Sequence, residues 1–202
     1  MVVVVIAYAS RTGTRRNLAA LRSAGWRLLV SARGVLRHEG FTYALDNGAW
    51  TAHQRGEDFD EPAFVDAVAQ LGAGADWTVA PDIVAGGLES LRYSVSWLPR
   101  LRGRVLIAVQ DGMTPADVAP YLSDRVGIAI GGSTEWKEEQ LARRVWRGSY
   151  LHALRVNTAR RIALCHWAGC DSFDGSSVSR YVVNLPRLER ARRSPCLPMG
   201  AT

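Results

Sequence analysis

Four polar residues stand at the ends of apolar runs, and their types are those of acid–base and nucleophilic chemistry. They are Asp46 in Tyr43-Ala-Leu-Asp-Asn-Gly-Ala-Trp50, Asp82 in Thr78-Val-Ala-Pro-Asp-Ile-Val84, Gln110 in Val105-Leu-Ile-Ala-Val-Gln-Asp-Gly112, and Asp174 in Gly169-Cys-Asp-Ser-Phe-Asp-Gly175. One carboxylate can attack a substrate while a second transfers protons. Because a barrel of parallel strands presents its chemistry at the carboxyl ends of the strands, these positions predict a single site.

Short β-rich runs alternate with amphipathic stretches along the chain. Strands are predicted at 2–8, 27–32, 42–45, 77–80, 105–110, 127–130, 151–156 and 170–173, and helices at 12–24, 61–71, 88–98, 134–146 and 158–167, with a further helix opening at Thr114-Pro115. This alternation predicts a parallel sheet with right-handed crossovers. We therefore expect an α/β fold, a compact (β/α)8 TIM-like barrel. A chain of 202 residues is near the lower bound of that fold, so trimmed helices or a partly open barrel are expected variants.

A doubly wound open sheet is the alternative architecture, but no glycine-rich dinucleotide fingerprint follows the first strand. We expect one TIM-like domain over residues 1–185 and a basic tail over 186–202. No apolar run reaches the roughly 18 residues that span a bilayer, so no membrane partner is expected. Residues 1–6 read as a buried strand and not as a signal peptide. The expected location is the cytoplasm, or the host cytoplasm if a phage encodes the protein.

The chain carries a formal net charge of +6, and its basic residues are 24 arginines and the single lysine Lys137. Arginine forks bind phosphate oxygens bidentately, so the composition favours a polyanionic partner such as nucleic acid. A GC-rich genome also replaces lysine with arginine, and solvated helix faces would account for about half of the basic clusters. The last cluster, residues 186–195, is predicted to be a frayed tail that could lie along a nucleic-acid backbone.

The three cysteines, Cys165, Cys170 and Cys196, have no CxxC spacing and no second pair of zinc ligands. They are predicted to be small buried side chains and not a disulfide framework or a zinc site. No metal and no cofactor is expected.

Two motifs and one strand resemble those of a known superfamily. Asp171-Ser-Phe-Asp174, Asp46-Asn-Gly-Ala-Trp50 and Gly127-Ile-Ala-Ile-Gly131 are similar to elements of the tRNA-guanine transglycosylases. The chain looks closer to the DpdA branch, which inserts 7-deazaguanine bases into DNA. The similarity runs from about Ala44 to Arg180, with a looser match between Val4 and Ala32. It implies exchange of guanine for a 7-deazaguanine derivative by double displacement at the sugar C1′, through a covalent aspartyl-glycosyl intermediate.

The resemblance also implies a role for each matched position. Asp174 would be the nucleophile and Asp46 the general acid and base. Asp82 would accept hydrogen bonds from guanine N1–H and the 2-amino group, and Gln110 would hold the oxygen side of the base. Gly127, with the carbonyls of Ile128 and Ala129, would contact the base oxygen and the 7-substituent. Arg180 would contact the nucleic-acid backbone.

The chain departs from the family pattern at several places. Asn47 stands where the family has serine, Ala49 where it has a second glycine, and Asp111 is inserted before Gly112. The cysteine-rich zinc motif of the tRNA enzymes has no counterpart, which favours DNA over tRNA. Each motif also has a purely structural interpretation. Asp46 could form an Asx-turn, Asp171 could cap a turn, and residues 127–132 could be a buried strand with a glycine turn.

Three alternative functions therefore stay open: a tRNA-guanine transglycosylase-like enzyme, a base-excising glycosylase, and a non-catalytic nucleic-acid-binding barrel. His152 and Asn157, on or after the seventh strand, stay outside the predicted site. A histidine there could orient a carboxylate, but a satisfied core histidine is the commoner case. Most of the tryptophans are predicted to be core, although one could stack on an extruded base.

Overall fold

A computed structural model describes residues 4–11 and 14–194. Eight parallel strands close into a barrel in sequence order, each pairing with the next and the eighth with the first. The strands are β1 Ile6–Ser10, β2 Arg27–Ser31, β3 Tyr43–Asp46, β4 Thr78–Val79, β5 Val105–Val109, β6 Val126–Ile130, β7 Leu151–Ala153 and β8 Ser172–Gly175. The predicted (β/α)8 barrel is confirmed, and it is closed.

Helices connect the strands and form the outer layer. They are α1 Arg15–Ser23, α2 Ala49–Arg55, α3 Glu61–Leu71, α4 Gly87–Trp97, α5 Pro115–Val118, α6 Thr134–Arg143, α7 Ala159–Ala168, α8 Ser177–Arg180 and α9 Leu185–Arg193. Single turns of 3-10 helix lie at Gly72–Gly74, Leu98–Arg100, Ala119–Tyr121 and Val182–Asn184. Helix α5 has only four residues, so the helix between β5 and β6 is shortened, as expected for a chain of this length. The first residues of the predicted first strand and helix, 2–3 and 12–13, lie outside the described residues.

The interior of the barrel is apolar toward its N-terminal face and polar toward its C-terminal face. Successive strand residues alternate in direction, so every second one points inward. The inward apolar cluster is Tyr8, Leu29, Ala44, Trp77, Val79, Leu106, Ala108, Ala129 and Tyr150. Two residues beyond Ala44 and Ala108 the inward side chains are Asp46 and Gln110, and Asp174 of β8 lines the same end of the interior. The packed apolar side chains therefore close the barrel beneath the polar groups, which line a cavity open at the C-terminal face.

The outward faces of the strands pack against the helices. Phe64 of α3 and Trp97 of α4 meet edge to face with ring centroids 5.5 Å apart, and both are buried. Each large side chain buried in this way contributes about 1.5–3 kcal/mol. Cys165 and Cys170 are buried, so the predicted burial of these two side chains is confirmed. Cys196 lies outside the described residues.

The predicted frayed tail is wrong over 186–193, because this segment forms α9. Leu185, Leu188 and Arg192 recur at helical spacing and are buried against the barrel. The Arg192 guanidinium donates to the carbonyls of Val5 at 3.3 Å and Ala24 at 3.1 Å, which precede β1 and β2. The end of α9 therefore lies at the N-terminal face, opposite the polar strand ends. The high arginine content of this segment favoured a disordered tail in the sequence analysis, although its few apolar residues form a stripe along the helix.

Among the described residues, no helix is both long and apolar enough to cross a membrane. Helix α2 was not predicted, because its seven residues, Ala-Trp-Thr-Ala-His-Gln-Arg, show no apolar period. It begins directly after the Asp46 motif, where the Asn47 side chain accepts a hydrogen bond from Ala49 N at 2.9 Å. The motif thus ends a strand and starts a helix within three residues.

Candidate active site

A cavity of about 1030 Å³ opens at the C-terminal face of the barrel. The structure brings the four predicted strand-end residues together on its wall: Asp46, Asp82, Gln110 and Asp174. Arg180, at the end of α8, is exposed and lines the same cavity at its rim. Because these residues come from four separate parts of the chain, their convergence depends on closure of the barrel.

Asp174 sits near the end of β8 and is only 5% exposed. Its Oδ1 accepts hydrogen bonds from the backbone N–H of Arg155 at 2.9 Å and from His152 Nε2 at 3.2 Å. Among residues 4–11 and 14–194, no donor contacts Oδ2. Two donors therefore hold one oxygen and fix the carboxylate, while the other oxygen remains available for attack on a bound substrate.

His152 was left out of the predicted site, but the structure places it against Asp174. It is fully buried on β7, where its Nδ1 lies 2.7 Å from the Ser172 hydroxyl. In the neutral tautomer that fits both contacts, Nε2–H donates to Asp174 and Nδ1 accepts from Ser172. Strand alternation alone places Ser172 and Asp174 on the same face of β8, but their meeting with His152 depends on the register between β7 and β8, which the sequence does not show.

Asp46 combines a turn contact with an environment that favours its protonated form. Its Oδ2 accepts a hydrogen bond from Gly48 N at 3.1 Å, which is the contact that the Asx-turn interpretation predicts. Burial, followed by the negative charges of Asp174 and Asp82, raises the pKa of Asp46 to about 6, although Ser31 and Gly48 oppose this shift. A carboxyl with such a pKa can both give and take a proton near neutral pH.

Asn47, a departure from the family pattern, joins the first two motifs. Its Nδ2 donates to Asp82 Oδ1 at 2.7 Å and to the Ala80 carbonyl at 2.7 Å. Burial raises the pKa of Asp82, while the hydrogen bond from Asn47 and the charge of Arg155 oppose that rise. Asn47 thus fixes the Asp82 carboxylate at the cavity wall, and both carboxylate oxygens keep a lone pair for a ligand.

Gln110 is buried at the end of β5, and its Nε2 donates to the Ile83 carbonyl at 2.9 Å. An amide nitrogen carries two hydrogens, so a second donor remains for a ligand.

The adjacent Asp111 accepts from Ser133 N at 2.6 Å and from the Ser133 hydroxyl at 2.7 Å. Burial raises the pKa of Asp111, but the two hydrogen bonds from Ser133, a backbone hydrogen bond and the charge of Arg155 together hold it below its ordinary value.

The structure does not bring Gly127, Ile128 or Ala129 to the cavity. Ile128 packs outward against the helices, whereas Ala129 belongs to the inward apolar cluster. A strand rises about 3.3 Å per residue, so Gly127 lies about 13 Å below Gly131 along β6. Gly131 and Gly132 line the cavity instead. Within the matched segment 127–131 only Gly131 lines the cavity, and residues 127–129 are buried strand, as the structural interpretation predicts for them.

Gly127 has a packing role that can be tested. A Cβ at this position would lie 2.6 Å from the Tyr150 carbonyl oxygen and 2.9 Å from Leu106 Cδ2. Overpacking a core in this way costs about 1–3 kcal/mol. We expect Gly127→Ala to lower the free energy of unfolding by that amount in urea denaturation. Gly148→Ala is the control, because its Cβ would meet nothing nearer than 3.5 Å. Equal stabilities of the two variants would refute the packing role.

Arg155 is a cavity-lining residue that the sequence analysis did not single out. Its side chain donates to the Gly132 carbonyl, and its guanidinium carbon lies 4.0 Å from the centre of the Trp50 ring. Burial lowers the pKa of Arg155, while the charges of Asp174 and Asp82 oppose this. Its backbone has φ of 58°, a left-handed conformation that costs a non-glycine residue about 1–3 kcal/mol. That conformation aims its N–H at Asp174.

No protein-family model matches the chain, and no curated protein matches it. No cluster of three or more metal-ligating side chains occurs in the described part of the chain. The function must therefore be inferred from the chemistry of the cavity itself.

Proposed function

We propose that this protein is a nucleic-acid guanine transglycosylase, an enzyme that exchanges guanine for a 7-deazaguanine derivative in DNA. One observation carries the proposal. A single cavity holds Asp174, whose Oδ2 has no donor in the described part of the chain, together with Asp46, whose carboxyl has a pKa raised to about 6. Pairs of carboxyls in which one stays ionised and the other holds a proton are typical of enzymes that break glycosidic bonds.

The proposed reaction uses these two carboxyls in turn. In the first step Asp174 Oδ2 forms a bond to C1′ of the nucleotide while the bond from C1′ to guanine N9 breaks. The electron pair leaves with guanine, which takes the proton from Asp46. In the second step the incoming 7-deazaguanine gives its N9 proton to Asp46 and attacks C1′, and the bond to Asp174 breaks. Two displacements retain the configuration at C1′.

Recognition of guanine is assigned to the neighbouring polar groups. The Asp82 carboxylate accepts from N1–H and the 2-amino group, a pair of donors that adenine lacks. The second amide hydrogen of Gln110 is suited to the O6 oxygen, and Gly131 and Gly132 border the base where side chains would obstruct it. A base in duplex DNA must be extruded from the stack to enter such a cavity. Arg180 at the rim is placed to contact the phosphate backbone.

Asp82 is expected to set base selectivity. In Asp82→Asn the new amide group presents a donor to the donor groups of guanine, leaving buried hydrogen-bonding groups unpaired. We expect kcat/KM for guanine sites to fall about 10²–10³-fold. Hypoxanthine, which lacks the 2-amino group, serves as the internal comparison in otherwise identical DNA. The preference for guanine over hypoxanthine should largely disappear in the variant; an unchanged preference would exclude Asp82 from base recognition.

The function is tested with DNA and tRNA that carry radiolabelled guanine, each incubated with and without 7-cyano-7-deazaguanine. Release of guanine from DNA only when the deazapurine is present is the expected result. Release from tRNA instead would identify the RNA as the substrate. Release without the deazapurine would identify a base-excising glycosylase. Salt-sensitive binding without release from either polymer would identify a binding module.

A further inference from the structure

Lys137, the single lysine of the chain, lies buried in the wall behind the cavity. It belongs to α6 and is 1% exposed. Its Nζ donates to the Leu154 carbonyl at 2.6 Å. Lysine is among the side chains least often buried completely, because removing an ammonium from water is costly. A purely packing role would be met better by an apolar side chain of the same length.

The carbonyl that Lys137 binds belongs to the same peptide unit as the N–H that holds the proposed nucleophile. Leu154 supplies the C=O of this peptide, and Arg155 supplies the N–H that donates to Asp174 Oδ1 at 2.9 Å. The ammonium, the peptide and the carboxylate therefore form one continuous hydrogen-bonded series. The left-handed backbone of Arg155 gives this peptide its orientation.

We propose that Lys137 is a positioning residue for Asp174 and acts through the Leu154–Arg155 peptide. A charged donor on a carbonyl is a strong hydrogen bond, and it polarises the peptide so that its N–H becomes a better donor. Lys137 thereby holds the peptide in place and strengthens the contact that fixes the Asp174 carboxylate. The catalytic effect of Lys137 rests on the proposed function. The hydrogen-bonded series from Lys137 to Asp174 does not depend on that function.

The charged and titratable groups that face Lys137 come from three elements. They are Arg155 after β7, Arg161 and Cys165 of α7, and Asp174 of β8. Burial, followed by the positive charge of Arg155, lowers the pKa of Lys137 to about 8, against the opposing effect of Asp174. Raising the pH through this value removes the ammonium charge.

The first test uses the protein alone and needs no substrate. The backbone ¹⁵N–¹H resonance of Arg155 is followed from pH 6.5 to 9.5 in the wild type, in Lys137→Met and in Lys137→Gln. We expect the wild-type resonance to titrate near pH 8 and neither variant to do so. Lys137→Gln keeps a neutral donor and serves as the second folded variant if Lys137→Met does not fold. An Arg155 resonance that does not titrate in the wild type, or that titrates equally in a variant, would overturn the proposal.

The second test measures base exchange on DNA. We expect kcat to fall at least about tenfold in Lys137→Met while KM changes less than about twofold, because the nucleophile is misplaced and the binding surface is intact. Lys137→Gln should recover part of kcat. The control is Tyr43→Phe, which removes a 2.8 Å hydrogen bond to the Leu71 carbonyl far from the cavity. A loss of kcat no greater than that of the control would overturn the catalytic role.

The two tests separate the failure of this proposal from the failure of the proposed function. If the wild type exchanges no base but the Arg155 resonance titrates through Lys137, the hydrogen-bonded series is supported and the transglycosylase assignment fails. If the wild type exchanges base and the resonance is insensitive to Lys137, the positioning role alone fails.

Discussion

Asp174→Asn is expected to abolish base exchange and covalent trapping on DNA, with a loss of rate of about 10⁴-fold or more. An amide cannot form the aspartyl-glycosyl ester, so neither displacement can proceed through it. Removing the nucleophile from an enzyme that acts by covalent catalysis typically costs rates of this size. The measurement is a denaturing gel that resolves a protein–DNA adduct, run beside an assay of guanine release.

The fold of this variant should survive, because the asparagine oxygen can still accept the hydrogen bond from the Arg155 N–H. The matched control is Asp171→Asn, the same chemical change three residues earlier on the chain. Asp171 Oδ2 accepts from Leu151 N at 2.7 Å, at the beginning of β7 and at the face opposite the cavity. That contact makes Asp171 the capping residue that its alternative interpretation predicted. Exchange activity retained by Asp174→Asn, or lost equally in Asp171→Asn, would refute the nucleophile assignment.

Asp46→Asn is expected to slow guanine release about 10²–10⁴-fold, the usual contribution of a general acid and base. In a single-turnover experiment, wild-type release should decline as the pH rises through about 6, because the protonated form of Asp46 gives the proton in the first displacement. The variant should show no such decline. A wild-type profile that is flat between pH 5 and pH 7.5 would exclude Asp46 as the acid.

The same substitution should stabilise the fold. The folded-state pKa of Asp46 is raised above its ordinary value of 3.8, so the native state binds its proton more tightly than the unfolded chain does. Stability is therefore lost as the pH rises from about 4 to about 6, and at pH 7 the ionised carboxylate is a cost. Asparagine removes this cost, and we expect a gain of about 1–2 kcal/mol at pH 7 that vanishes below pH 4. Urea denaturation at the two pH values measures it.

The combination of lost rate and gained stability distinguishes a site residue from a structural one. A structural aspartate loses stability when it is neutralised, whereas a carboxylate placed for chemistry among other carboxylates relieves repulsion when it is neutralised. A destabilised Asp46→Asn would therefore assign Asp46 to its turn contact with Gly48 and not to catalysis.

The sequence by itself determined the eight strands, most of the helices between them and the residues at the strand ends. Apolar alternation and helical spacing are local properties, and a series of strand–helix units with right-handed crossovers has few ways to close. For this reason the barrel and the strand-end positions of Asp46, Gln110 and Asp174 were predictable. Helix α9 was not predicted, because its charged residues outnumber a short apolar stripe. Helix α2 was not predicted, because its seven residues show no helical period of apolar side chains.

The tertiary structure decided which side chains meet. His152, Arg155 and Lys137 reach Asp174 or its supporting peptide across separations of 17 to 22 residues, through strand register and one left-handed backbone conformation. The sequence also did not show how far along the barrel axis a residue lies. Gly127 and Gly131 are on the same, inward face of β6, and only the closed barrel shows that Gly131 reaches the cavity and Gly127 does not. Local periodicity encodes the face on which a residue lies. The height of that residue in the barrel, and the partner opposite it, depend on how all eight strands are staggered together.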